Sequence, residues 1–176
     1  IKKHYDHRPE KFINKMKSFG LDKKLGVQIQ GEGSPFIPYP GNKKNPWSKI
    51  SLEWMAWGYG VSLTPLQTLA FYNAVANNGQ LVKPRFINEL RVQNKTEKVF
   101  GKVVLINRIA KQSTINKLRK VMENVVKKGT AKNIYSPNFS MAGKTGTAKK
   151  LVNGVYSNQK YVASFAGFFP ADKPKY

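Results

Sequence analysis

The stretch Ala142-Gly143-Lys144-Thr145-Gly146-Thr147-Ala148 places a cation, two hydroxyls and a position without a side chain in one short run. Read as a strand, it sends alternate side chains to one face, so Thr145 and Thr147 point together. Two hydroxyls on one face beside a lysine make a seat for a carboxylate, since the hydroxyls donate and the ammonium donates with charge. Gly146 lets another backbone come close and pair with the strand's edge. A peptide lying there adds as a further strand, and its reacting carbonyl meets a backbone N–H such as that of Thr147. An oxyanion hole of this kind is worth about 3–4 kcal/mol per donor in hydrolases. The same residues also admit a plainer reading, a polar strand end near a turn, and alone they do not decide between the two.

Other chemistries fail on inventory. Gly143-Lys144-Thr145 matches the end of a GxxxxGK[ST] phosphate loop, but the glycine that pattern needs falls at Asn138. The chain has no Cys, which excludes a disulfide framework, a zinc–cysteine site and a thiol nucleophile. His4 and His7 are its two histidines, too few for a metal cluster or a histidine-based triad. Glu32 and Glu53 sit in a long loop where nothing fixes their separation, so no paired-carboxylate role is assigned. No residue pattern calls for a metal or a cofactor.

The elements that must position the 142–148 run follow an α/β order. Pro9 to Phe19 carries Phe12, Ile13, Met16 and Phe19 on a helical face, with Pro at the start and Gly20 as the stop. A Gly- and Pro-rich segment from Gly26 to Gly60 holds Trp47, Trp54 and Trp57, read as packing residues. Thr64-Pro65-Leu66-Gln67 is a capping box opening a helix whose Leu66, Leu69, Ala70, Asn73 and Ala74 share one side. Asn77-Asn78-Gly79 ends it. Residues 81–92 and 97–106 read as strands with Asn94-Lys95 near their turn. A further helix, about Ser113 to Lys127, lines up Ile115, Leu118, Val121, Met122 and Val125, with Gly129 at its end. Phe139–Ala148 and Lys160–Phe169 read as two strands joined by a polar turn containing Asn153-Gly154.

The 176 residues are enough for one domain or a large piece of one, and 10 Phe, 8 Tyr and 3 Trp rule out a disordered basic tail. No apolar run reaches the roughly 18–20 residues of a membrane-spanning helix. The chain carries 31 Lys and Arg against 9 Asp and Glu, a net charge of +22. Such a balance attracts polyanions in general. Its lysines are scattered in doublets such as Lys2-Lys3, Lys23-Lys24, Lys43-Lys44, Lys127-Lys128 and Lys149-Lys150, with no basic stripe and no nucleic-acid motif. A nucleic-acid-binding module therefore rests on charge alone, and an anionic cell-wall or membrane setting accounts for the charge equally well.

Three stretches together carry a resemblance. Lys144-Thr145-Gly146-Thr147-Ala148 is similar to the K-T-G motif of penicillin-recognising serine enzymes. Gly58-Tyr59-Gly60-Val61-Ser62-Leu63-Thr64-Pro65-Leu66-Gln67, continuing to Ala76-Asn77-Asn78-Gly79 and Pro84, resembles the GxGxxxTPLQ helix of class B penicillin-binding proteins. Tyr161 to Asp172 resembles the strand that pairs with the K-T-G strand. Order and spacing match over about residues 9–176.

The resemblance implies an α+β fold, an antiparallel five-stranded sheet flanked by helices, and a peptidoglycan D,D-transpeptidase. In that family a serine attacks the D-Ala-D-Ala end of a stem peptide, and β-lactams imitate this substrate. Carried over residue by residue, Lys144 joins the proton-handling network, and Thr145 and Thr147 bind the ligand carboxylate. Gly146 gives clearance, and the Thr147 backbone amide enters the oxyanion hole. The implied partners are stem peptides, β-lactams and cell-wall synthesis or division proteins, without nucleic acid. The implied location is the cell envelope, as the periplasmic part of a membrane-anchored protein.

The departures are specific. Ser157-Asn158-Gln159-Lys160 spells S-x-x-K and Ser136-Pro137-Asn138 spells S-x-N, but the first follows K-T-G and the second stands just ahead of it. Neither is where a nucleophile or its partner belongs. Residues 1–176 are accordingly expected to be one piece of a transpeptidase domain, inactive alone, with the nucleophile upstream of Ile1 and the C-terminal end continuing further. A β-lactam-sensing domain that acylates without cross-linking fits the same residues.

Overall fold

The computed structural model describes residues 1–5, 7–42 and 47–175, so the Lys43-Lys44 doublet and Tyr176 lie outside the described residues. The chain divides into two units, Ile1–Phe71 with Gln80–Ile109, and Tyr72–Gly79 with Ala110–Tyr176. Among the described residues, helices are combined with three two-stranded antiparallel ladders, an α+β arrangement, rather than with one five-stranded sheet.

The first unit opens with a short helix α1, Lys2–Tyr5, that the sequence pattern does not announce. Helix α2, Pro9–Ser18, has Pro in its first turn, buries Ile13 and carries Lys15 and Lys17 in its last turn, where they oppose the helix dipole. The chain turns out of it through Gly20 at φ +78°, against the side chains of Leu81 and Ile106. The long segment that follows is organised by its own contacts. Glu32 accepts hydrogen bonds from the backbone N–H groups of Leu25, of Gly26 at 2.8 Å and of Val27 at 3.2 Å. Phe36 and Ser62 exchange two backbone hydrogen bonds, at 2.8 and 2.9 Å. A short helix α3, Ser51–Ala56, buries Leu52 and Met55. Trp54 is partly exposed but meets Tyr59 edge-on at 5.4 Å, whereas Trp57 is 82% exposed, which corrects its reading as a packing residue.

Helix α4, Pro65–Ala76, begins as the capping box requires. Thr64 N–H donates to Gln67 Oε1 at 2.8 Å and Gln67 N–H donates to Thr64 Oγ1 at 3.1 Å. Gln67 is buried, and its amide also donates to the Lys23 carbonyl at 2.9 Å. The buried positions are Gln67, Ala70, Ala74 and Val75, whereas Leu69 is 55% exposed and Asn73 is exposed. Of the expected side, Ala70 and Ala74 are buried while Leu69 and Asn73 are not, so the buried face is turned toward Gln67, which is tied to Lys23.

The stretch expected as two long strands breaks into four. β1, Leu81–Val82, pairs with β4, Val104–Ile106, and β2, Glu89–Val92, pairs with β3, Lys95–Val99. Pro84 lacks an N–H for a continuous ladder. The tight turn is Gln93-Asn94, both at positive φ as a type I′ turn demands.

In the second unit, Asn78 (φ +54°) and Gly79 (φ +88°) close α4, with Gly79 N–H donating to the Ala74 carbonyl at 2.7 Å. Helix α5, Gln112–Lys128, buries Ile115, Met122 and Val126. Val121 is 60% exposed and Leu118 sits at the margin, so the apolar face is rotated from the expected one. The reason is Arg119, which shares the inward side and donates to the last carbonyls of α4, Val75 at 2.9 Å and Ala76.

The two final strands are longer than the sequence suggests. β5, Ala142–Val152, and β6, Val155–Phe168, meet at a two-residue turn, Asn153 at φ +49° and Gly154 at φ +79°. The stretch read as a polar turn is thus the outer half of a hairpin. It mixes polar residues with the exposed Leu151, Val152, Val155 and Tyr156, and cross-strand pairing leaves no local mark.

Glu32 yields a pH prediction. Desolvation raises its pKa, but the backbone donors of Leu25, Val27 and Gly26, helped by Lys24, outweigh it and hold the carboxyl below its ordinary value. A depressed folded-state pKa contributes stability above the unfolded pKa and loses it as pH falls through the folded one. Glu32→Gln should lower the thermal midpoint by a few degrees at neutral pH, with the gap to wild type closing as the solution is acidified. Identical midpoints at neutral pH would remove the interaction from the account.

Candidate active site

Among the described residues β5 is paired with another strand along one edge only. Its register with β6 runs Ala142↔Phe168, Gly143↔Gly167, Lys144↔Ala166, Thr145↔Phe165, Gly146↔Ser164 and Thr147↔Ala163. Among the described residues no other strand pairs with β5, so the N–H and C=O groups of its outer edge along the Lys144–Thr147 stretch have no strand partner. The hairpin is anchored where β5 begins and β6 ends. Ala142 and Phe168 are buried, and Ala171 N–H donates to both the carbonyl and the hydroxyl of Ser140 at 3.0 Å.

Register is enforced by a pair of facing glycines. A Cβ on Gly143 would fall 2.2 Å from the Phe165 ring and 2.8 Å from the Ala166 carbonyl oxygen, and one on Gly167 would fall 2.4 Å from the Ala142 carbonyl oxygen. The Phe165 ring occupies the space those side chains would need. This pairing is nonlocal: aligning the expected strands end to end sets Gly143 opposite Phe165, and only the shifted register of the hairpin brings it opposite Gly167.

The predicted site residues lie together on this strand. Lys144 is exposed, and its ammonium donates to the Thr145 carbonyl at 2.7 Å while lying 3.5 Å from Thr145 Oγ1. Thr145 is half-buried and Thr147 is exposed, on the same face. Gly146 faces Ser164, whose Oγ lies 2.6 Å from where a Cβ would sit. The glycine therefore makes room for a hydroxyl of its own sheet. Thr130, which the sequence did not single out, reaches Thr145 from the end of α5, with their hydroxyl oxygens 2.8 Å apart. The sole sequence signal for it is its place directly after Gly129.

Two other serines do not join them. Ser157 lies in β6, nine residues from Ala166, roughly 30 Å along a strand. Its Oγ accepts from the N–H groups of Gln159 and Lys160. Ser136 Oγ accepts from Asn138 N–H at 3.2 Å, closing a local turn. Both act as backbone fasteners.

The electrostatic setting suits an anion. The unit containing β5 and β6 holds thirteen Lys and Arg but only Glu123 and Asp172 as acids, half of the chain's net charge. A carboxylate approaching the Thr145–Thr147 face is drawn to a unit of strong net positive charge. The arrangement can seat an acceptor-only anion on hydroxyls beside an ammonium, and take a ligand backbone along an open strand edge.

A model of the penicillin binding protein transpeptidase domain matches residues 3–176. Stage V sporulation protein D of Bacillus subtilis is 34% identical over 167 residues, 94% of this chain and 25% of that protein. The probable peptidoglycan D,D-transpeptidase PenA of Neisseria flavescens is 35% identical over 130 residues, 73% of this chain and 30% of that protein. Among solved structures, penicillin binding protein 3 of Mycobacterium tuberculosis, complexed with aztreonam, superposes with a TM-score of 0.80 at 30% identity, covering 95% of this chain and 38% of that one. The chain thus spans about a quarter of the length of the curated relatives it matches.

The glycine pair gives a direct test of the register. Gly143→Ala must displace backbone and the Phe165 ring and should cost about 2–3 kcal/mol in denaturant unfolding, whereas Gly146→Ala requires only that Ser164 rotate and should cost clearly less. Equal costs would mean that β5 and β6 do not meet in this register.

Proposed function

The chain belongs to the penicillin-binding protein transpeptidase domain family, and from that premise we propose that it forms the K-T-G wall of a serine D,D-transpeptidase active site. The observation that carries the reading is the open edge of β5, with Thr145 and Thr147 on one face and Lys144 beside them. A stem peptide ending in D-Ala-D-Ala lies along that edge as an added strand, its terminal carboxylate received by the hydroxyls of Thr145 and Thr147. The Thr147 backbone N–H donates to the oxygen of the reacting carbonyl as negative charge develops there. Lys144 belongs to the proton-handling network, and Gly146 keeps the strand narrow where the ligand passes.

The reaction itself needs a nucleophilic serine at a helix N-terminus beside Lys144, a position that Ser164, within β6 opposite Gly146, does not have. In the full-length protein the nucleophile's Oγ attacks the carbonyl of the penultimate D-Ala and loses its proton to a neighbouring base. The amide bond breaks, and D-Ala leaves with a proton on its nitrogen. The amine of a second stem then attacks the resulting ester, forming the cross-link and returning the serine. Residues 1–176 are, on this reading, one part of the transpeptidase domain and are not acylated by themselves. A β-lactam follows the same path but leaves a slowly hydrolysed acyl-enzyme. The protein acts in the cell envelope beside other cell-wall synthesis or division proteins. No helix among the described residues is long and apolar enough to cross a membrane.

The full-length protein should be labelled stoichiometrically by a fluorescent penicillin. Thr147→Val should slow that acylation by roughly 10- to 100-fold, the worth of one hydrogen bond to a charged group, without lowering the unfolding midpoint. A full-length protein that takes no label would overturn the reading, and unchanged acylation in Thr147→Val would remove that hydroxyl from the ligand site.

A further inference from the structure

The hydroxyl of Thr145 has two polar neighbours, an ammonium and a second hydroxyl. A hydroxyl has one hydrogen and two acceptor positions. Lys144 Nζ, which can only donate, lies 3.5 Å from Thr145 Oγ1, and Thr130 Oγ1 lies 2.8 Å from the same atom. Two threonine hydroxyls in contact share two hydrogens, of which one lies between them and one is left over. When Thr130 donates to Thr145, the leftover hydrogen is that of Thr145, on the face it shares with Thr147. A hydroxyl that accepts a hydrogen bond is also polarised into a better donor.

Thr130 is placed by backbone, not by chance contact of a long side chain. The N–H groups of Gly129 and Ala131 both donate to the Val125 carbonyl at 3.1 Å, wrapping the end of α5 tightly. A Cβ on Gly129 would fall 2.8 Å from both Val125 Cα and its carbonyl oxygen, so a glycine is required for this turn. Ala131 is buried on the far side, and a single helical turn at Lys132–Ile134 follows. Thr130 is thereby pinned between two fixed residues, with its short side chain directed at β5.

We propose that Thr130 is a positioning residue for the ligand's anionic group: it donates to Thr145 Oγ1 and so commits the Thr145 hydrogen to a carboxylate or sulfonate. Both are acceptor-only groups and match a seat that offers only hydrogens. A neutral ester or amide at the same place gains little from that commitment, so Thr130 sets selectivity for anionic ligands over neutral ones. The inference rests on the transpeptidase reading, because the ligand concerned is the one received on β5.

The test uses the full-length protein with Thr130→Val, which keeps the shape and removes the hydroxyl, and Thr130→Ser, which restores it. Second-order acylation rates are measured with benzylpenicillin and with its neutral methyl ester. Thr130→Val should slow benzylpenicillin about tenfold and leave the ester within about twofold, while Thr130→Ser should behave as wild type with both. An equal loss with acid and ester would make Thr130 merely structural and overturn the proposal, as would no loss with the acid or a failure of serine to restore it. Thr130→Ala, read with thermal unfolding, serves where the valine variant does not fold. If wild type itself is not acylated, the transpeptidase reading fails first; if wild type is acylated and Thr130→Val is indifferent, only the present inference falls.

Discussion

A strand with one paired edge and one open edge carries an unspent row of backbone donors and acceptors, and the candidate site is built from that asymmetry in β5. The paired edge must be rigid for the open one to be of use. Rigidity comes from the facing Gly143 and Gly167, with the Phe165 ring laid over them and Ala142 and Phe168 buried at the anchored end. Because side chains alternate along a strand, fixing the register at Gly143 also fixes the face on which Thr145 and Thr147 appear. A slip of one residue would exchange the hydroxyls for Lys144 and Gly146 and leave no seat.

Charge supplies the second requirement. The unit bearing β5 and β6 is strongly cationic, and its two acids are engaged elsewhere: Glu123 pairs with Lys127 at 2.7 Å and Asp172 lies 3.4 Å from Ser140. The field gathers anions without selecting among them. On the proposed reading selection falls to the hydroxyls, and that of Thr145 has Thr130 and Lys144 at short range. A general basic surface thus serves a site whose geometry is made by only a few side chains.

What could be read from the sequence was local. The Thr64–Gln67 capping box, the Asn78-Gly79 helix end and the Asn153-Gly154 turn each involve neighbours in the chain, and each forms as the pattern implies. The K-T-G run was legible as a strand because alternation needs no partner. The rest depended on distant residues. Arg119 rotates α5 by reaching the end of α4, and Gln67 turns α4 by reaching Lys23. Residues 149–160 extend the hairpin because each strand pairs with the other across the Asn153-Gly154 turn. Thr130 and Thr145 meet across fifteen positions that include an irregular loop, which no periodicity reveals.

The most direct measurement is a crystal structure of the full-length protein acylated by ampicillin. The account requires the ligand's amide to run along the outer edge of β5, its carboxylate on the hydroxyls of Thr145 and Thr147, and its former lactam oxygen at the Thr147 N–H. An outer edge already covered by another strand of the protein's own chain, or a ligand carboxylate held by other groups, would contradict it.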